Sequence, residues 1–354
     1  MGQPADPHSQ SPNSHNPVGN DNSPASSAAQ EKVDQLISHV NEQIELLTFD
    51  QPNPDLLRQM IQSLVDPRRA ARISLIEALS QVGEPATPFL LEGLAHHPET
   101  VVRRACCNAL TNIGDETAVA GLVQALLNDG DISVKSAAAG ALAKIGAPAF
   151  EAVRGILASP EASESCKGHA AWAMATMSSE VSEQLYRVIN DPSTAVRTAV
   201  VGAIAQLAQK QLAQKQSQPA STLSTTQLPT TQPLTTQVQA TTSPNPKPPP
   251  PRPNEQANNT LTLLTEALND SAADVRIEAA AHLARLNCQK AYQPLVACLK
   301  DTDWEVRKAA TLALGKLGNL DAIEAIAPLK QDTEAAVQRV ATLVIAQLEA
   351  QMQP

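Results

Sequence analysis

DTDWEVRKAATLALGKLG, residues 301–318, reads as one helix with a charged entrance and a glycine exit. Val306, Ala309, Ala310, Ala313, Leu314 and Leu317 recur at i, i+3, i+4, i+7, i+8 and i+11, one apolar stripe of an α-helix. Gly318 follows the last of them, where a helix is expected to stop. Asp301 stands six positions before Arg307, and the same arrangement recurs along the chain. The pairs are Asp66/Arg72, His97/Arg103, Asp129/Lys135, Glu161/Lys167, Asp191/Arg197, Asp270/Arg276, Asp301/Arg307 and Asp332/Gln338. Their second members are separated by 31, 32, 32, 30, 79, 31 and 31 residues. Self-similarity at a fixed period of this size marks a stacked array of small units.

Before each such helix lies a shorter apolar segment of helical period, such as AVAGLVQALLND at 118–129 and AYQPLVACLKD at 291–301. Each unit is therefore a hairpin, helix A followed by helix B. Helix B is mostly alanine inside, so neighbouring helices can approach closely, and one unit alone buries too little to stand. The predicted fold is all-α, a right-handed α-α superhelix of about eight helical hairpins. The charged pair is expected to form a structural ladder, each Asp bonding backbone or the Arg of an adjacent unit and holding the units in register. The motif D-x-x-x-x-V-R-x-A-A-x-x-A-L-G-x-L-G, matched almost letter for letter at 301–318, resembles the HEAT repeat. The resemblance extends over residues 53–350 apart from one insertion.

Outside the repeats the chain changes character. Residues 1–28 are rich in Ser, Pro, Asn, Gln and Asp and are expected to be a disordered tail. Residues 29–50 begin with a stripe of Val33, Leu36, Ile37, Val40, Ile44 and Leu47, a predicted capping helix. Repeats 1–5 are assigned to 51–210 and repeats 6–8 to 259–350. Between them, residues 211–258 are dominated by Thr, Gln and Pro and include PPPPRP at 248–253, a composition that cannot bury enough apolar area to fold. The solenoid either continues across this insertion or hinges there, and the proline run is either a spacer or bait for an aromatic-lined groove.

Composition bounds function. Aromatics are only 2% of the 354 residues, too few for an ordinary globular core and enough for alanine-rich helix stacking. A formal net charge of −10 argues against a phosphate-tracking surface, so no nucleic acid is expected as partner. No uninterrupted apolar stretch of membrane-spanning length occurs, the N-terminus lacks the apolar run of a secretory signal, and five cysteines in helix interiors suit reduced thiols; a cytoplasmic protein is expected.

Candidate chemistry is sparse. No C-x-x-C or His-x-x-x-His spacing occurs, and no metal site is expected. Aligned by repeat, Cys106 takes an interior alanine position and Cys166 a valine position, both packing sites, whereas Cys107 lies nearer the helix boundary as a candidate reactive thiol. ESCKGHAAWAMATM, 164–177, departs most from its siblings: His169 replaces an alanine, and Trp172 stands where Asn108, Gly140 and Gly202 stand. Cys166, His169 and Trp172 share a helix flank. They are either a satisfied core histidine with a filler tryptophan or a patch for a flat ligand or a partner side chain.

Deoxyhypusine hydroxylases share the repeat but use paired His-Glu motifs, and His96, His97, His169 and His282 are followed here by His, Pro, Ala and Leu. The short alanine-rich repeats, with AVRTAVVGAIAQL at 195–207 and GHAAWAM at 168–174, most resemble the cyanobacterial phycobilisome-lyase group, which includes the E/F-type phycobilin lyase subunits and non-bleaching protein B. The resemblance implies a protein that binds phycobiliprotein subunits and assists bilin attachment, detachment or phycobilisome turnover, with a second lyase subunit as a further partner. It implies no resident cofactor, a bound bilin being substrate. Since the acceptor cysteine belongs to the phycobiliprotein, the lyase need only hold and orient the bilin. In that setting His169, Trp172 and Cys166 would form the patch, and Arg103, Arg104 or Lys167 would pair with bilin propionates. The competing class is an interaction scaffold unrelated to bilins, binding another protein along its concave surface.

Overall fold

The computed structural model describes residues 24–45, 53–217 and 253–351. A leading helix, α1 (Pro24–Glu45), is followed by α2 (Pro54–Gln62) with α3 (Arg69–Val82), α4 (Thr87–His96) with α5 (Thr100–Ile113), and α6 (Val119–Asn128) with α7 (Ile132–Ile145). The pairs continue with α8 (Phe150–Ala158) and α9 (Glu164–Met177), then α10 (Ser182–Arg187) and α11 (Thr194–Ser217). Beyond the insertion come α12 (Pro253–Glu266) and α13 (Ala273–Arg285), α14 (Tyr292–Cys298) and α15 (Trp304–Leu317), and α16 (Ala322–Ile326) and α17 (Ala335–Ala350). The result is an all-helical solenoid of eight hairpins behind one leading helix, with no strand among the described residues.

Local sequence sets the helix ends. Asp131 and Asp303 accept the backbone N–H two residues on, at 2.7 and 2.8 Å, and so cap α7 and α15. Gly114 and Gly318 leave α5 and α15 with φ of 72° and 70°, left-handed values that a side chain disfavours. The B helices α3 to α17 pack side by side along the array, and their alanines lie at contact: Ala138, Ala170, Ala279 and Ala310 are all fully buried. α1 packs on α3, tied there by Arg68, which bonds Asp34 on α1 and Asp66 in its own turn, each at 2.9 Å.

The charged pairs form the seam. In each regular repeat the Arg Nη1 donates to the carbonyl six residues back, as in Arg276 to Asp270 at 2.8 Å, while Nε and Nη2 fork onto the carboxylate of the next repeat. The bridges are Arg103 to Asp129, Arg197 to Asp270, Arg276 to Asp301 and Arg307 to Asp332, at 2.7–3.0 Å. Each of these carboxylates also accepts the backbone N–H two residues on. His97 copies the second role, its Nδ1 accepting from the Glu99 amide at 3.1 Å.

The seam is continuous across the insertion. Arg197 of repeat 5 reaches Asp270 of repeat 6, Tyr186 bonds Thr260 at 3.0 Å, and α11 packs on both α12 and α13. The assigned boundaries need correction at both ends. α11 runs through Ser217 and α12 starts at Pro253, so both intrude into 211–258. QLAQKQ is built of strong helix formers that continue α11 without an apolar stripe, and proline is favoured in a first helical turn. Likewise α1 begins at Pro24, inside the expected tail, with a proline at its start and Ala28 and Ala29 in its next turns. The remaining expectations for 1–23, 46–52 and 218–252 lie outside the described residues.

Candidate functional site

The forked bridge is missing at three junctions: Arg72 bonds the Asp66 and Pro67 carbonyls and meets no carboxylate among the described residues, and the two lysine repeats that follow depart further. Lys135 stands where an arginine would fork onto the next repeat, but Glu161 is exposed and does not meet it. Lys135 instead donates to the Leu127 carbonyl at 3.2 Å and lies 3.6 Å from the Cys166 sulfur. One repeat later Asp191 is claimed not by Lys167 but by Arg154 of α8, at 2.8 Å. Lys167 is thereby released from the seam, and its remaining ion pair is an exposed Glu164 one turn back, at 3.2 Å.

Lys167 opens onto the largest groove among those described, about 830 Å³, spread over α9, α11 and α13. Small residues make its floor: Gly168, Ala171 and Ala175 on α9, Ala195, Ala199 and Gly202 on α11. Thr194, Thr198 and Gln206 add polar groups on α11, and Glu278 and His282 face it from α13. On α13, Glu278, His282 and Arg285 lie at i, i+4 and i+7 of one helical face. His282 Nε2 is 2.7 Å from Glu278 Oε1, and Arg285 Nη2 is 2.6 Å from His282 Nδ1. A guanidinium can only donate, and its Nη2 is nearer Nδ1 than Nε2, at 2.6 against 3.2 Å, an arrangement that suits a hydrogen on Nε2 given to Glu278. That bond holds the Glu278 carboxyl below the usual range, against burial, which acts the other way. A second, apolar groove of about 380 Å³ lies between α13 and α15, shares Ile277 with the first, and exposes Leu312 between Lys308 and Lys316.

The structure sorts the residues singled out in the sequence. Lys167 lines the main groove. Arg104 is exposed on α5, at the repeat position that Gly168, Thr198 and Ile277 occupy in the groove. Trp172 is 53% exposed, at the position of Gly202 and of exposed Leu312. His169 is half-buried with Nδ1 2.7 Å from the Ser165 carbonyl, at the position of Glu278, and neither His169 nor Trp172 is among the groove's lining residues. Two candidates are unavailable to a ligand. Cys166 is buried in the seam with its sulfur on the Leu126 carbonyl at 3.3 Å, because a valine position faces inward. Arg103 is forked onto Asp129 and its side chain is only 16% exposed, so a propionate would have to displace a buried carboxylate. Cys107 is likewise no reactive thiol: it is fully buried, and burial pushes its pKa well up, as it pushes Cys106 up to about 12.

Sequence reasoning passed over Glu278 and His282, although the repeats announce both. Aligned on the basic residue, Glu278 stands where Ala105, Ala137, Ala199 and Ala309 stand, and His282 where Ala109, Ala141, Ala173, Ala203 and Ala313 stand. Among the described residues no three His, Cys, Asp or Glu side chains converge as a metal-ligand set. No helix there is long and apolar enough to cross a membrane.

A sequence profile for HEAT repeats matches residues 87–175 and 261–346, and both segments carry HEAT repeats. A stretch of 69 residues is 36% identical to the bilin biosynthesis protein MpeU of Synechococcus sp. (strain WH8020), covering 19% of this chain and 23% of that protein's length. Among solved structures, yeast importin-β (Kap95p) is 13% identical, covering 94% of this chain and 45% of that one with a TM-score of 0.41. Human deoxyhypusine hydroxylase is 20% identical, covering 83% of this chain and 96% of that one with a TM-score of 0.26.

Proposed function

We propose that the chain is a HEAT-repeat binding module whose helix-B wall holds a bilin together with a phycobiliprotein subunit, in the service of chromophore attachment, detachment or phycobilisome turnover. The observation that carries this reading is the groove over α9, α11 and α13, whose size falls in the range of small-molecule sites and whose floor is nearly all alanine and glycine. A flat, conjugated open-chain tetrapyrrole can lie against such a floor. Lys167, freed by Arg154 from the seam, supplies a cation for a propionate, and the threonines of α11 supply hydroxyls. The similarity to MpeU, short as it is, supports the same ligand class. Nothing in this role asks the chain for its own nucleophile, which fits five buried cysteines.

Titrating free phycocyanobilin into the purified full chain is the direct test. Binding is expected to change the bilin absorption spectrum, and immobilised protein is expected to retain apo-phycobiliprotein. An unchanged spectrum together with no retention ends this reading. A second reading, a scaffold without bilin affinity, is favoured by the apolar groove around exposed Leu312, which suits a partner's helix better than a charged ligand. It predicts retention of a protein partner with no spectral change and loss of that retention in Leu312→Glu.

A further inference from the structure

We infer that Glu278 is the acceptor for the pyrrolic N–H groups of the bound tetrapyrrole, and that His282 and Arg285 are positioning residues that aim it. This rests on the bilin reading above and names how that ligand is oriented.

Repeat 6 is the one repeat in which a carboxylate and an imidazole replace alanines on the same helical face, and both line the groove. Oε1 of Glu278 is taken by His282, and no hydrogen bond to Oε2 is found among the described residues. The His282 ring is itself held by Arg285, whose Nη2 lies 2.6 Å from Nδ1 and 3.2 Å from Nε2, and it packs toward Gly202, where a Cβ would lie 3.6 Å from Nε2. The carboxylate therefore has one oxygen anchored and the other available to the groove. Lys167 stands on α9, on the other side of α11 from α13. A ligand spanning the groove meets a cation from one wall and an anion from the other. A tetrapyrrole offers the matching pair: propionates at its edge and N–H donors at its centre. A carboxylate among those donors favours the N-protonated chromophore, which absorbs at longer wavelength than the neutral form.

The test is absorption spectroscopy of phycocyanobilin bound to the full chain, with helicity checked for every variant. Wild type is expected to shift the long-wavelength band to the red. Glu278→Gln is expected to bind the bilin and leave that band near its free position. His282→Ala should give an intermediate band, since Glu278 persists without its anchor. Lys167→Ala should weaken binding about tenfold without moving the band, the loss of about 1.4 kcal/mol from one charge-assisted contact. Retention of the full red shift in Glu278→Gln overturns the assignment while leaving bilin binding intact. Absence of binding by the wild type overturns both.

Discussion

Asp301 shows how much one side chain holds. It receives a two-pronged bond from Arg276, caps the turn through the Asp303 amide at 2.9 Å, and lends its carbonyl to Arg307. Asp301→Asn keeps the shape and removes the charge, leaving Arg276 nearly buried without a counter-ion. Breaking such a pair from one side is expected to cost about 3 kcal/mol, measured as a lower urea midpoint; Arg276→Lys should cost less but not nothing, since an ammonium cannot fork. The ladder is legible in the sequence: each Asp is expected to bond backbone or the Arg of an adjacent repeat, and Asp301 does both, through the Asp303 amide and through Arg276. What linear spacing does not show is the further bond from Arg307 to the Asp301 carbonyl within the same repeat.

Among the elements, α15 and α17 illustrate why glycine and alanine fill the interior. A Cβ on Gly315 would lie 2.6 and 3.2 Å from the methyls of Val344, a buried branched side chain with little freedom to turn away. Gly315→Ala should therefore destabilise by about 1–2 kcal/mol in thermal unfolding, the clash outweighing the roughly 1 kcal/mol that alanine gains in helix propensity. Hairpin number and the helix-B stripe were readable because apolar periodicity is a pattern of presence. The groove was not, because it is a pattern of absence: Gly202 and Ala199 look like any other packing residues until α9 and α13 are seen to flank them. The displacement of Lys167 was equally hidden, since it depends on Arg154 arriving from a helix A, outside the repeating motif.

Across the whole molecule the ladder couples stability to pH. Hydrogen bonds from Arg103 and Arg307 hold the Asp129 and Asp332 carboxyls below their usual range. For Asp270 and Asp301, burial alone would raise the pKa and is outweighed by hydrogen bonds from Arg197 and Arg276 and from the following amides. Carboxyls with lowered folded values contribute stability fully present above the unfolded value of 3.8 and lost as pH falls through the folded values. The melting temperature is expected to change little from neutral pH down to about 5 and to drop steeply below about 4. A steady decline beginning near pH 6 would point to histidines instead. The bridge from Arg197 to Asp270 adds something the peptide bond does not. Repeats 5 and 6 are neighbours in space through that fork and through Tyr186 and Thr260, whatever path residues 218–252 take between them. Covalent order and structural order have come apart at this point: the array is one object assembled by its side chains, and the chain is only the thread that delivers its two pieces to the same place.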